Sequence, residues 1–100
     1  MNILQISTVL EQNKSNLASY GLRRVGIFGS TARGEADAKS DIDLLLDFDP
    51  RQKTYRNFYA STTLLETLLS RPVDAVTPQA LSPRIKPYID RDITYVQITN

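Results

Sequence analysis

The chain has no cysteine, no histidine and no tryptophan, and each absence removes a class of chemistry. Without cysteine there is neither a disulfide framework nor a thiolate metal site. Without histidine, imidazole-held zinc and Ser–His or Cys–His nucleophile pairs are gone as well. Any catalysis must then run on carboxylates, hydroxyls and hard cations. A large charge imbalance is also missing. Twelve Lys and Arg face eleven Asp and Glu, a net charge of +1, which excludes nucleic-acid binding through bulk positive charge alone. Long apolar runs are absent too: the longest, Leu44–Leu46 with its neighbours, falls far short of the roughly 18 residues of a membrane helix. Met1-Asn2-Ile3-Leu4-Gln5 has neither the basic start nor the apolar block of a signal peptide. The expectation is a cytoplasmic protein that stays off the membrane.

What remains is ordinary for a folded domain. The chain is 100 residues long, 41% hydrophobic and 23% charged, a size that buries one core and leaves no room for a second domain. One domain is expected over residues 1–100. Ile3, Ile6, Leu10, Leu17 and Tyr20 recur at helical spacing, with polar Asn13–Asn16 marking a kink and Gly21 a C-cap. Arg24–Phe28 reads as a strand, Thr31–Arg33 as a helical turn after Ser30, and Asp41–Phe48 as a second strand. The best helix runs from Tyr55 to Ser70. Its apolar stripe is Phe58, Thr62, Leu65 and Leu69, widened by Tyr55, Tyr59, Leu64 and Leu68. Val73–Thr77 is a third strand, Ser82–Asp90 a short helix, and Ile93–Ile98 an extended edge. This order predicts an α/β (α+β) fold, a small mixed β-sheet flanked by helices.

The chemistry gathers in two places. Gly29-Ser30-Thr31-Ala32-Arg33-Gly34 leaves a strand and enters a helical turn, which presents backbone N–H groups and a hydroxyl where an anion is favoured. The bland alternative is a tight turn with Ser30 as its N-cap. Asp41-Ile42-Asp43 follows at a strand start, where i and i+2 share a face about 6.5–7 Å apart. Two such carboxylates can converge on a hard cation, or simply face water. Between Glu35 and Asp49 stand six acidic residues and only Lys39, a repulsion that bound Mg²⁺ would relieve. Asp74 lies one residue into an apolar strand, where an unpaired charge is costly; a structural arginine or a shared metal would account for it. Asp47 lies too far along the strand to share the ion, and both it and Asp49 are expected to be dispensable surface or strand-end residues. Arg33 either reaches a phosphate or packs the turn against Glu35. The Arg51–Tyr59 cluster of basic and aromatic residues could dock a partner or bind RNA by stacking and charge, but reads first as a helix start with its aromatics in the core and its basic residues in water. Pairing of Arg51, Lys53 or Arg56 with Asp47 and Asp49 is expected there.

Together, Phe28-Gly29-Ser30-Thr31-Ala32-Arg33-Gly34, Ser40-Asp41-Ile42-Asp43-Leu44 and Val73-Asp74-Ala75-Val76 make the chain resemble the minimal nucleotidyltransferase (MNT) family of the polymerase-β-like superfamily. The resemblance implies a polymerase-β-like core and two Mg²⁺ ions bridged by Asp41 and Asp43, with Asp74 completing the site. It implies Ser30 and the Gly29–Thr31 backbone on the β- and γ-phosphates of ATP, and Asp74 as the base for an acceptor hydroxyl. Finally, it implies an antitoxin that forms a hetero-oligomer with a small helical HEPN-domain ribonuclease toxin. The antitoxin would transfer AMP to a toxin tyrosine with release of pyrophosphate, without binding nucleic acid directly. A non-catalytic antitoxin acting by occlusion is the alternative.

Overall fold

The amphipathic start of the chain folds as two helices rather than one in the computed structural model, which describes residues 1–99. Helix α1 spans Ile3–Gln12 and α2 spans Lys14–Ser19. Asn2 and Gln5 form a reciprocal capping box at the start of α1. The break comes at Asn13, whose side-chain amide donates to the Val9 carbonyl at 2.8 Å, a local bond that competes with the helix ladder. Gly21 ends α2 at φ +90°, as a C-terminal glycine does.

Four strands follow: β1 Leu22–Phe28, β2 Ile42–Phe48, β3 Val73–Val76 and β4 Thr94–Gln97. They form one sheet in the order β3-β2-β1-β4. β1 pairs antiparallel with β2 and with β4, and β2 pairs parallel with β3, so the sheet is mixed. The parallel pair requires a crossover, which is α4, Tyr55–Leu69. Thr54 caps it by accepting from the Asn57 N–H at 3.1 Å. The helical turn α3 is Gly29–Ala32, and α5 is Lys86–Asp92, later than the Ser82–Asp90 read from the sequence. Pro83 and Pro87 punctuate the approach to it.

Alternation along the strands gives the sheet two unlike faces. Val25, Ile27, Ile42, Leu44, Leu46, Phe48, Val96 and Ile98 point to one side and make one core with Ile6, Leu10 and Leu17 of the first helices and Leu65 and Leu69 of α4. Each fully buried side chain of this kind contributes about 1.5–3 kcal/mol. The other face carries Arg24, Gly26, Phe28, Asp43, Leu45, Asp47, Asp74 and Tyr95, and the α3 turn packs near it. On α4 the apolar stripe is narrower than the sequence suggests. Phe58 packs against the core and Phe48, whereas Tyr55 and Tyr59 are 83% and 63% exposed and stack on each other. They sit a quarter-turn off the buried line. Among the described residues, no helix is long and apolar enough to cross a membrane.

Candidate active site

Phe28, Asp43 and Asp74 are register partners across β1, β2 and β3, one row near one end of the sheet. β1 delivers the chain to this end and turns directly into α3. At the turn Gly29 has φ +71°, a left-handed conformation that disfavours a side chain. A Cβ there would stand 2.9 Å from Cγ and 3.1 Å from Cβ of Asp43. The space a side chain would need at Gly29 is thus taken by the Asp43 carboxyl. Ser30 is not the N-cap: Phe28 holds that position and no side chain caps the turn. Thr31 is buried, only 4% exposed.

In the parallel β2–β3 pair the Asp43 and Asp74 Cα atoms face each other about 4.8 Å apart, and both side chains project to the open face. Asp43 is half-buried, while Asp74 and Asp41 are exposed. The desolvation cost anticipated for Asp74 therefore does not arise. Asp41 stands one residue outside β2. Burial raises the Asp43 carboxyl above its ordinary range, the negative charges of Asp74 and Asp41 push it further up, and Arg33 opposes them. Among the described residues, no three acidic side chains are gathered closely enough to hold a metal ion as they stand: two share the row and Asp41 flanks it. The donor set itself is all-oxygen and mutually repelling, which is the chemistry a hard cation such as Mg²⁺ fits.

Two residues that sequence reasoning missed hold this end of the sheet. The Arg71 guanidinium Nη2 donates to the Asp37 carbonyl at 3.1 Å and to the Ser40 carbonyl, tying the loop before Asp41 to the α4–β3 corner. Asp37 in turn accepts from the Lys39 N–H at 2.8 Å, which lowers its carboxyl below the usual range. The Glu66 carboxylate accepts from the Val73 N–H at 3.0 Å and so fixes the start of β3. The only hint in the sequence was an arginine placed between a helix and a strand.

Arg33 lies 3.4 Å from Glu35 and 3.8 Å from Asp92, which matches the packing alternative and leaves the guanidinium half-exposed beside the turn. Next to it opens a cleft of about 360 Å³, lined by Phe28, Gly29 and Arg33 on one wall and by Tyr88, Arg91 and Asp92 of α5 on the other. Asp47 stands next to the end of β2, the strand-end alternative, and not on the surface. Its side chain is only 14% exposed and pairs with Arg24 at 2.9 Å and Arg23 at 3.7 Å. Asp49 pairs with Arg51 at 3.1 Å as anticipated, whereas Lys53 bonds Gln79.

Residues 6–96 match the nucleotidyltransferase domain family. A protein adenylyltransferase, MntA, of Thermococcus cleftensis is 34% identical over 97 residues, covering 96% of this chain and 97% of the relative. A solved structure described as a minimal nucleotidyltransferase superposes with a TM-score of 0.79 at 35% identity, over 94% of this chain and 95% of the other. The MntA–HpeT toxin–antitoxin crystal structure matches with a TM-score of 0.67 at 18% identity, over 96% of this chain and 73% of that one, a likeness of fold. The acidic row and the glycine turn thus lie within a stretch on which sequence and fold comparisons agree, and the chain belongs to the nucleotidyltransferase domain family.

Proposed function

We propose that this nucleotidyltransferase is an antitoxin that transfers AMP from ATP to a hydroxyl, a tyrosine in our reading, of a small helical HEPN-type ribonuclease toxin, releasing pyrophosphate. The observation that carries the reading is the pairing of Asp43 with Asp74 in one row, against which the Gly29 backbone packs. A row of this kind puts negative charge and proton-accepting oxygens beside a turn suited to phosphate. The names of its relatives, a protein adenylyltransferase and the antitoxin of a toxin–antitoxin pair, support the acceptor being a protein.

The chain's residues then divide the work. Ser30 and the backbone N–H groups of Gly29–Thr31 would hold the β- and γ-phosphates, with Arg33 exchanging its long contacts to Glu35 and Asp92 for phosphate oxygens. Asp41, Asp43 and Asp74 would hold two Mg²⁺ ions, which supply charge neutralisation for the triphosphate and the departing pyrophosphate. Asp74 is exposed at the outer end of the row, where an incoming hydroxyl can reach it. Its carboxylate takes the proton as the acceptor oxygen bonds to the α-phosphorus and the bond to the bridging oxygen of pyrophosphate breaks. In this reading a bound partner presents the acceptor hydroxyl to the row.

The test is to incubate the chain with its cognate toxin and MgATP and weigh the toxin by mass spectrometry. A mass increase of one or more AMP units that disappears in Asp41→Ala plus Asp43→Ala is expected. An unmodified toxin, with inhibition surviving in that double variant, would leave occlusion as the mechanism.

A further inference from the structure

We propose that Arg91 of α5 is a further phosphate-binding residue, which closes with Arg33 on the polyphosphate tail of the donor nucleotide in the cleft between α5 and the Gly29–Arg33 turn. The inference rests on the reading of the site given above and assigns a role to the segment after Thr77, which carries no motif.

The cleft is continuous with the turn, because Gly29 and Arg33 form one of its walls. Two arginines and one carboxylate, Asp92, line it, so its own charge is positive although the whole chain is nearly neutral. Arg33 is already engaged by Glu35 and Asp92. Arg91 is exposed and takes part in no ion pair among the described residues, and its guanidinium carbon lies 5.4 Å from the centre of the Tyr88 ring. That contact holds the cation at the cleft without consuming its hydrogen-bond donors. It also gives a use to Tyr88, which is 65% exposed. Ile85 and Ile89 supply apolar wall, which lowers the local dielectric and strengthens an arginine–phosphate contact. The planar fork of a guanidinium suits two phosphate oxygens at once.

The helix that bears Arg91 is seated by a specific contact. Gly26 has no side chain, and Ile93, just after α5, fills the space; a Cβ at Gly26 would stand 2.9 Å from Ile93 Cγ1. The end of α5 is thereby fixed over β1 at Ile93, two residues after Arg91. The free cation has a defined place relative to the turn.

Calorimetric titration of the full chain with MgATP, magnesium tripolyphosphate and AMP tests this. Arg91→Ala should weaken MgATP and tripolyphosphate alike, by about tenfold or more for a lost charge-assisted contact, and leave AMP unchanged. Arg91→Lys should fall between, and Tyr88→Phe should behave as wild type. Arg91 is exposed, so the melting temperature of the variant should match wild type. Unchanged tripolyphosphate affinity in Arg91→Ala would overturn the proposal. So would a loss confined to AMP, which would make the cleft a seat for the nucleoside instead. Wild-type protein that binds neither MgATP nor tripolyphosphate would overturn the nucleotidyl-transfer reading itself, an outcome distinct from both.

Discussion

Replacing Gly29 by alanine separates backbone strain from collision, because the chain carries its own control. Gly29 and Gly34 have nearly the same φ, +71° and +73°. A left-handed residue with a Cβ costs about 1–2 kcal/mol, and both substitutions incur that. Only Gly29 adds a collision. At Gly34 nothing lies within 4 Å of the new carbon, whereas at Gly29 the nearest atoms all belong to Asp43, with Cγ at 2.9 Å and Cβ at 3.1 Å. A rotation about χ1 can move the carboxyl, but the Asp43 Cβ is fixed to β2 and cannot leave. Overpacking of this kind adds about 1–3 kcal/mol. Gly34→Ala should therefore cost about 1–2 kcal/mol and Gly29→Ala about 2–5 kcal/mol. Each kcal/mol lowers the melting temperature of a chain this size by about 4–8 °C.

Urea unfolding monitored by circular dichroism reads these costs, with an unchanged slope confirming that only stability moved. The decisive comparison is a double-mutant cycle. In an Asp43→Ala background the two nearest obstructing atoms are gone, and most of the excess of Gly29→Ala over Gly34→Ala should vanish. If Gly29→Ala costs no more than Gly34→Ala, or if its excess persists without the Asp43 carboxyl, the packing of turn against carboxylate is wrong. The site geometry built on it then goes too.

Asp43 also makes a pH prediction in the presence of a chelator. Burial and the charges of Asp74 and Asp41 raise its folded pKa above the unfolded value of 3.8, so ionisation opposes folding and this residue's contribution worsens as pH rises through the folded pKa. Asp43→Asn should therefore be more stable than wild type near pH 7, with the advantage shrinking as pH falls through the raised folded pKa and gone below the unfolded value of 3.8, as urea midpoints across that range would show. Asp37 and Asp49, whose carboxyls are lowered by hydrogen bonds, act with the opposite sign and are common to both proteins, so the difference isolates Asp43. Asp47→Ala, which strips the partner from Arg24 and Arg23, should cost about 1–2 kcal/mol in the same assay while AMP transfer to the partner is retained. Ser61 is 0% exposed and its hydroxyl has no hydrogen-bond partner among the described residues, so Ser61→Ala should raise stability by about 0.5–1 kcal/mol; a loss would mean that the hydroxyl is hydrogen-bonded.

The parts of the fold legible in the sequence were those set by local pattern. The apolar run from Ile42 and the β-branched Val73–Val76 segment are strands because alternation and apolarity say so over a few residues, and Gly21 ends α2 for a purely local reason. What escaped was set across the chain. Asp47 shares strand parity with Asp43, and nothing near it distinguishes the two. Its cover comes from arginines more than 20 positions earlier, on the neighbouring strand. Tyr55 and Tyr59 look like core aromatics until α4 is laid on the sheet, when the line through Ser61, Leu65 and Leu69 turns out to be the buried one. The α5 wall of the cleft was invisible because it depends on Ile93 settling against a glycine far up the chain. The site itself stood between these cases: its residue types and spacings were evident, but that Asp41 would flank the row rather than join it was not.

Why these residues meet follows from how the sheet is wired. β1 ends where β2 begins, because the two are antiparallel, so the Gly29 turn and Asp43 arrive at the same end of the sheet. β3 would bring its first residues to the opposite end if it too were antiparallel to β2. The crossover through α4 makes it parallel instead, and Ile42 pairs with Val73 and Asp43 with Asp74. Because side chains alternate with a period of two, this register also decides the face. A slip of one residue would send Asp74 into the apolar core and Val73 to the open face. Burying Asp74 carries a desolvation penalty of several kcal/mol, and that penalty disfavours the slipped pairing. The apolar packing that holds the domain together thus fixes the face on which the two carboxylates lie, and the chemistry at the end of the sheet depends on the core behind it.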